Sequence, residues 1–474
     1  MSSLDQKYIE MTTTPVRRLV LRLAIPTIIS MMVTSLYNVV DAAFVGSLST
    51  EATAAIGVGF AYQTFIQAVG FFFGHGSGNH ISRALGARKQ KDAALFAAVG
   101  FFSPLIIGTI TAILGLLTLP TLCTLLGATP DVVEPTCDYL RYILIASPFM
   151  MSALTLNNQL RLQGNARLGM IGLVSGAVLN VVLDPILIFG CGMGVSGASL
   201  ATAISQFCCW CLLLWGTFRP SSVHISIRYF RPSWTAFKEI TAGGLPSLCR
   251  QACNCMAAIL LNHAAARYAT PGYEASCIGA FAVVSRTMML VFSFVLGFCQ
   301  GFQPVCGYNY GARLYKRVSR AFTFTLSAGT LILLVISSMG FIFAEDIVRI
   351  FRDEDPELIR IGAHALRWQC LAFPTVGIPT ATNMLFQNIR MPIRSTLISI
   401  GRQGLFFVPT ILILPHFMGL QGVEMTQAIA DVLTCLFSIP FAVWIYRRLN
   451  QLAKTEKGET ACAASPSKAS DRVL

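Results

Sequence analysis

Charged residues are scarce in this sequence of 474 residues. Asp, Glu, Lys and Arg make up 12% of the chain, whereas hydrophobic residues make up 54%. A soluble domain typically carries about 25% charged residues, which cover the surface that faces water. The shortage therefore excludes an ordinary water-soluble fold for most of the chain, and it indicates a surface that faces lipid.

Motifs that would indicate several other classes of protein are also absent. The sequence contains no Gly-x-x-x-x-Gly-Lys-Ser/Thr motif, which disfavours an ATP-driven pump. The spacing of the 15 cysteines matches no metal-ligand pattern, and most of them lie in apolar runs. An intramembrane prenyltransferase needs clustered aspartates for magnesium pyrophosphate, but the cluster at 353–355 lies in a predicted outer loop. We therefore expect no enzymatic activity and no tightly bound cofactor.

Long apolar runs are the dominant feature that is present. A membrane-spanning helix needs roughly 20 mainly apolar residues. Such runs predict an all-α integral membrane protein with about twelve transmembrane helices, at 17–39, 54–78, 93–117, 139–160, 168–190, 196–217, 236–262, 276–303, 319–343, 361–387, 395–414 and 424–446.

Lys and Arg concentrate on alternate connections between these predicted helices, for example at 83–91 and 313–320. The opposite connections hold only Arg267, Arg349, Arg352 and Arg360. The positive-inside rule places the basic side in the cytoplasm, together with both termini. We therefore expect a multi-pass protein of the plasma (inner) membrane. The uneven distribution of the basic residues accounts for the net charge of +13 and indicates how the protein is oriented in the lipid bilayer. We therefore expect no nucleic-acid partner.

The chain repeats itself at an offset near 225 residues. Gly-Ala-Arg at 86–88 matches Gly-Ala-Arg at 311–313, and Pro148 matches Pro374. The ordered matches predict two parallel, pseudo-symmetric six-helix bundles, an arrangement that suits alternating access around a central cavity. The predicted parts are a cytoplasmic N-terminus, an N-lobe, a cytoplasmic inter-lobe linker, a C-lobe and a disordered cytoplasmic tail, at 1–16, 17–217, 218–235, 236–447 and 448–474.

Two carboxylates stand out at membrane depth: Asp184 lies inside the fifth predicted span, and Asp41 lies just beyond the end of the first. A charge at membrane depth is costly and indicates a function. A helix rise of 1.5 Å per residue places both acids in the outer half of the N-lobe, at the depth of Thr202. Asn180 precedes Asp184 by four residues and shares its helix face. These oxygen-rich groups suit either a proton or a hard cation, whereas the purely structural alternative for Asp41 is a position at a wet helix end or loop cap.

The C-terminal half has no acid at the equivalent positions, which fall near Asn262 and Pro409. Arg402 and Asp431 lie within spans of this half, as does Arg286. Because buried charges usually find partners, an Arg402–Asp431 ion pair is a reasonable hypothesis, either structural or in contact with substrate.

Proline and cysteine supply two further hypotheses. Pro26 interrupts the first helix and is either a static kink or a point where the helix bends as Asp41 changes protonation. Cys123, Cys137 and Cys191 fall near the predicted outer face, where one disulfide is conceivable.

Three short motifs stand out in the N-lobe. Residues 36–46 read LYNVVDAAFVG, residues 180–185 read NVVLDP, and Gln163-Gly164 follows the fourth helix. These motifs resemble those of the bacterial multidrug and toxic compound extrusion (MATE) family. The resemblance covers roughly residues 15–447. It implies export of small organic, often cationic, compounds, driven by entry of protons or sodium ions; we expect a monomer.

The resemblance also implies roles for individual residues of the N-lobe. The cation-coupling site, which could hold a transient sodium ion, would consist of Asp41, Asn180, Asp184 and Thr202. A surrounding network would include Tyr37, Asn38, Tyr139 and Asn157. Some family members place acids in the seventh and eighth helices, but here those helices offer only Asn254 and Asn262, so a sodium site in the C-lobe is disfavoured. The alternative function is a related flippase for a lipid-linked saccharide, a class that often has additional helices and a strongly cationic central cavity.

Overall fold

The computed structural model describes residues 3–46, 48, 50–269, 273–351 and 355–463, and the side chains of a few residues within these ranges, Asn38 among them, are not described. The described residues form helices and no strands. In chain order the α-helices are α1 Ser3–Thr13, α2 Val16–Gly46, α3 Thr50–Gly86, α4 Gln90–Leu117, α5 Leu119–Leu125, α6 Val133–Leu162, α7 Ala166–Pro185, α8 Gly194–Thr217, α9 Trp234–Tyr268, α10 Glu274–Gly311, α11 Tyr315–Ile342, α12 Ala344–Phe351, α13 Pro356–Ala372, α14 Gly377–Asn388, α15 Pro392–Ile400, α16 Phe407–Met418 and α17 Leu420–Ala463.

Twelve membrane crossings follow from these helices, and the predicted all-α membrane fold is confirmed. Ten segments of the described chain are long and apolar enough to cross a bilayer. The other two crossings are α9, whose hydropathy is lowered by Arg250 and Gln251, and the pair α13–α14. A 3-10 turn at Phe373–Val376 joins that pair, because Pro374 cannot donate to the helical hydrogen-bond ladder. A π-helical turn at Gly401–Leu405 similarly joins α15 to α16.

Two short helices that the apolar runs did not predict occupy equivalent places in the repeat. Helix α5 follows the third crossing, and α12 follows the ninth. Each buries residues four apart on one face, Leu119 with Cys123 and Ala344 with Val348. Both helices are too short to span a bilayer. They therefore repeat the same local design in the N-lobe (α2–α8) and in the C-lobe (α9–α17).

Helices extend into both terminal segments. The polar N-terminus forms α1, which buries Met11 completely. The disordered tail was predicted to begin at residue 448, but α17 continues to Ala463 because Leu449 is buried and Asn450 accepts a hydrogen bond of 3.1 Å from Ser319. The predicted tail is thus corrected at 448–463, and 464–474 lies outside the described residues. The linker at 218–235 is also packed, since the Val223 N–H donates to Gln163 Oε1 at 2.7 Å.

Helix α1 and the part of α17 around Asn450 lie on one side of the protein, which we call the termini side. There, Asn309 near the end of α10 donates to the Met11 carbonyl at 3.1 Å. On this side the lobes contact each other through α2 with α10 and α3 with α9, where glycines allow close approach. A Cβ atom on Gly297 would lie 2.7 Å from the Ile28 Cα, and one on Gly244 would lie 2.8 Å from the Phe72 carbonyl carbon. The lobes are therefore closed against each other at this end.

Candidate functional site

Three polar residues of the N-lobe are hydrogen-bonded at the packed surface between α7 and α8. Asn180 Nδ2 donates to Asp184 Oδ1 at 3.2 Å and to Thr202 Oγ1 at 3.4 Å. All three side chains are buried. Asn180 and Asp184 are one helical turn apart and therefore share a face. The helices approach closely because Gly176 lies opposite Cys209, where a Cβ atom would come within 2.9 Å of the cysteine Cβ.

Asp41 approaches this cluster from α2. It lies within electrostatic reach of Asp184 and of the tyrosines Tyr37 and Tyr139. Helix α2 continues beyond it to Gly46, so Asp41 is part of the helix and not of the following turn. The structure therefore brings together the four residues of the predicted cation-coupling site: Asp41, Asn180, Asp184 and Thr202.

Oxygen atoms of this cluster are left without partners among the described residues. Asp41 Oδ1, Asn180 Oδ1 and Asp184 Oδ2 are buried, and none of them accepts a hydrogen bond from the part of the chain that the structure describes. Buried polar atoms usually find a partner, so each orphaned acceptor calls for an explanation. Carboxylate and amide oxygens are ligands of hard cations, and a carboxyl group can also take up a proton. The donor set therefore fits a sodium ion or a proton, and the described residues contain no group of three or more His, Cys, Asp and Glu side chains that could hold a metal ion.

Two glutamines that the sequence analysis did not single out support the tyrosines of the network. Tyr37 is hydrogen-bonded to Gln206, and the Tyr139 hydroxyl accepts a bond of 2.7 Å from Gln63 Nε2. Gln206 follows Thr202 by four residues, so its position on the site-facing side of α8 could have been predicted. Gln63 lies on α3 and gave no such signal. The side chain of Asn38 is outside the described residues.

Asn157 does not belong to this site, and its predicted place in the network is wrong. Its side chain packs against Gly169, where a Cβ atom would lie 2.9 Å from Asn157 Nδ2. Gly169 precedes Asp184 by 15 residues on α7, a separation of roughly 22 Å along the helix. Asn157 therefore lies close to the termini side, far from the acids.

Pro26 is buried within α2, which remains helical on both sides of it. Its carbonyl accepts a hydrogen bond of 2.9 Å from the Ser30 hydroxyl. Pro26 lies 15 residues before Asp41, roughly 22 Å along the helix. It therefore lies within the stretch of α2 that contacts α10, where Gly301 faces Ala24 and Gly297 faces Ile28.

The C-lobe carries an ion pair in place of the acids. Arg402 Nε lies 2.7 Å from Asp431 Oδ1, and Arg402 Nη2 lies 3.3 Å from Oδ2. Gln427 Nε2 donates to Asp431 Oδ1 as well, at 2.8 Å. The carboxylate is thus fully paired, unlike those of the N-lobe.

Among the three cysteines near the predicted outer face, the structure brings two together. The Sγ atoms of Cys123 and Cys137 are 3.2 Å apart as free thiols. Cys191 is exposed at the end of the turn after α7. Only the pair Cys123–Cys137 is therefore placed for a disulfide among these three.

A known protein family matches one segment in each lobe of the chain. The MatE family model matches residues 26–186 and 256–413, which together make up more than half of the chain. This chain belongs to the MatE family. The two matched segments lie one in each lobe, and the first contains both motifs of the acid cluster.

Individual MatE relatives resemble the chain over almost its full length. The multidrug export protein MepA of Staphylococcus haemolyticus is 23% identical over 445 residues, which cover 94% of this chain and 96% of that protein. MepA of Staphylococcus aureus strain NCTC 8325 is 24% identical, with 94% and 97% covered. A solved multidrug resistance MATE transporter in an outward-facing conformation has a TM-score of 0.87 and 27% identity, over 94% of this chain and 98% of that one. The predicted family is confirmed, and the chain is a multi-pass membrane protein of a family of multidrug efflux transporters.

Proposed function

We propose that this MatE protein is a cation-coupled antiporter that exports small organic, often cationic, compounds. The observation that carries the proposal is the set of buried, unpartnered oxygens on Asp41, Asn180 and Asp184. Ionisable residues inside a membrane are costly and mark ion pathways. The names of the MepA relatives, multidrug export proteins, support drug export as the transport reaction.

The two lobes provide the moving parts of this mechanism. A proton taken up by one of the two carboxyl groups, or a sodium ion shared between Asp41 and Asp184, weakens the repulsion between them, so the preferred packing of α2 against α7 changes with ion occupancy. Pro26 supplies a place where α2 can bend, since its ring prevents one backbone hydrogen bond. A bend there would alter the contact between α2 and α10. Ion binding in the N-lobe is thereby linked to the closure of the lobes.

We place the termini side in the cytoplasm of the cell and the protein in the plasma (inner) membrane. This orientation rests on the basic connections on that side, which the positive-inside rule assigns to the cytoplasm. We expect one chain to suffice, because the acid cluster and both lobes are complete within it.

A flippase for a lipid-linked saccharide is the second candidate. One observation favours it: the charged residues that line the C-lobe cavity are Arg250 and Arg402. A positively charged cavity suits the phosphate of such a lipid. The N-lobe acids argue for the antiporter, because a flippase does not require an ion site of this kind.

The two candidates are distinguished by transport in proteoliposomes with sodium and proton gradients imposed separately. We expect export of a fluorescent organic cation to be driven by one of the gradients and to be abolished in Asp41→Asn and Asp184→Asn. Asp131→Asn, which removes an exposed loop carboxylate, should transport normally. If no gradient moves any organic cation or organic anion through folded protein, the antiporter proposal fails and the flippase becomes the leading candidate.

A further inference from the structure

A cavity of about 280 Å³ lies within the C-lobe, bounded mainly by α9, α10, α14, α15 and α17. Its wall is largely apolar and includes three aromatic rings, Phe281, Phe292 and Phe407. Small-molecule sites typically combine an apolar wall with a few polar groups that orient the ligand. This cavity has the same combination, because its lining also includes Arg250 and Arg402.

The cavity lies near the middle of the membrane and beside the other lobe. Arg250 follows the start of α9 by 16 residues, so it lies roughly 24 Å from the termini side along that helix. The next residue, Gln251, is 3.5 Å from Gln67 of the N-lobe through their side-chain amides. Transporters bind their substrates near the bilayer midplane, at the interface between the repeats. The position is therefore that of a transport site.

The charge of Arg402 is neutralised within the lobe. Asp431 faces it with both carboxylate oxygens, and only 1% of the aspartate side chain is exposed. The Arg402 guanidinium also lies over the Phe292 ring, 4.5 Å from the ring centroid. This pair therefore adds little net charge to the cavity.

Arg250 has no such partner. In the part of the chain that the structure describes, no carboxylate and no hydrogen-bond acceptor is paired with its half-buried guanidinium. The lining contains no acidic residue. Charged residues inside a membrane nearly always pair with an opposite charge or with polar groups, and an exception marks a functional site. The cavity thus carries one uncompensated positive charge.

Other polar atoms on the cavity wall are also unsatisfied. Among the described residues, Ser399 Oγ has no hydrogen-bond partner and Gln403 Oε1 has no donor, and both atoms are buried. The serine hydroxyl can donate to an anionic oxygen, and guanidinium binds carboxylate, sulfonate or phosphate through parallel hydrogen bonds. Arg250 and Ser399 therefore offer two kinds of donor within one apolar cavity, whereas Gln403 Oε1 can accept only from a donor group elsewhere on the ligand.

We propose that the C-lobe cavity binds the anionic group of an amphipathic aromatic compound, with Arg250 as its counter-ion. This inference rests on the proposed transport function and adds organic anions to its substrates, which are often but not only cationic. It also explains why the lobes differ in charge: the coupling cation binds to Asp41 and Asp184, whereas an organic anion binds to Arg250 in the opposite lobe. Neither ligand then competes for the site of the other.

The test compares two fluorescent probes that share an aromatic ring and differ in charge, 2-naphthalenesulfonate and 2-naphthyltrimethylammonium. We expect purified protein in lipid nanodiscs to bind the sulfonate more tightly, by roughly tenfold or more, as charged hydrogen bonds of this kind provide. Arg250→Gln should remove the preference, and Arg250→Lys should keep part of it because the charge remains. Arg349→Gln, which removes an exposed arginine outside the cavity, should leave it unchanged.

Equal binding of the two probes to the wild-type protein would overturn the proposal, as would an undiminished preference in folded Arg250→Gln. If that variant does not fold, the relative affinity of the wild-type protein for the two probes still decides between the outcomes. Competition separates two sources of the anionic group, since stronger displacement by farnesyl phosphate than by 2-naphthoate indicates a lipid phosphate, and the reverse indicates a soluble anion. Binding at equilibrium needs no ion gradient, so this test can fail or succeed independently of the transport experiment.

Discussion

The side-chain amide of Asn180 lies 3.2 Å from the Asp184 carboxylate, one helical turn along α7, and also reaches Thr202 on α8. The amide therefore fixes the orientation of the carboxylate while leaving its second oxygen, Oδ2, without a protein partner. In the antiporter that we propose, Asp184 is thus oriented toward the coupling ion by a neutral residue and not by a competing cation.

Replacing Asn180 tests this arrangement. We expect Asn180→Ala to reduce gradient-driven transport at least tenfold, because the loss of one hydrogen bond to a charged group is worth roughly 1.5–3 kcal/mol. The measurement is the transport rate as a function of the concentration of the coupling ion. Asn165→Ala is the matched control, since Asn165 is also buried but bonds to the linker at Ser221 and Ser222. Equal rates in wild type and Asn180→Ala would show that the amide does not support the ion site.

The Arg402–Asp431 pair yields a prediction about stability. Arg402→Gln leaves a buried carboxylate without its charged partner, and breaking a buried pair in this way costs about 3 kcal/mol. The double variant Arg402→Gln, Asp431→Asn should recover most of that loss, because no charge is then left unpaired. Thermal unfolding of the purified protein measures both effects.

The matched control for this pair is Arg360→Gln. Arg360 pairs with Glu357 at the protein surface, with 67% of the arginine side chain exposed, and surface pairs contribute roughly 0–1 kcal/mol. A similar loss of stability in Arg360→Gln and Arg402→Gln would contradict the assignment of Arg402–Asp431 as a buried structural pair.

Close approach of the lobes on the termini side yields a prediction about the transport cycle. A Cβ atom on Gly76 of α3 would lie 2.8 Å from Ile240 Cγ2 of α9, so Gly76→Val cannot keep this contact. We expect the variant to fold but to lose transport, because the two lobes can no longer close at this end. Gly57→Val on the same helix is the control, since nothing lies within 4 Å of a Cβ atom there. Normal transport by Gly76→Val would show that closure at this contact is not required.

The fold and the acid cluster were predictable because both depend on strong signals. Apolar runs define membrane helices, and a carboxylate such as Asp184 is conspicuous within them. Uncharged polar residues give no comparable signal, which explains why Gln63 was missed. Asn157 was assigned to the network by resemblance, although it follows Tyr139 by 18 residues on α6 and so lies roughly 27 Å farther along that helix. The length of α6 alone therefore excludes Asn157 from a site at the depth of Tyr139.

Contacts between the lobes, and contacts of the terminal segments with the lobes, could not be predicted from sequence patterns. Helix α1 is short and polar, and its order depends on tertiary contacts with α10 and α11 that no local pattern encodes. The same holds for the end of α17, where Leu449 and Asn450 pack against a neighbouring helix. The unpaired state of Arg250 likewise emerged only when its surroundings were known.

Asn309 anchors α1 to the C-lobe and provides the last prediction. Its amide donates to the Met11 carbonyl at 3.1 Å, and its Oδ1 accepts a bond of 2.8 Å from Arg317 Nε. Because Arg317 also donates to the Thr14 carbonyl at 2.6 Å, the two residues together hold the end of α1. We expect Asn309→Ala to raise amide hydrogen exchange in residues 3–13 roughly tenfold, as the loss of about 1.4 kcal/mol from local stability requires.

Ser319→Ala is the control for this experiment, because it removes the hydrogen bond to Asn450 at the other terminus and should accelerate exchange only near the end of α17. Faster exchange in α1 together with unchanged transport would mean that α1 only stabilises the fold. If transport slows as well, α1 helps to hold the lobes together on the termini side, since it also contacts the N-lobe, where Arg88 lies 4.4 Å over the Tyr8 ring. Unaltered exchange in residues 3–13 would contradict the anchoring role of Asn309.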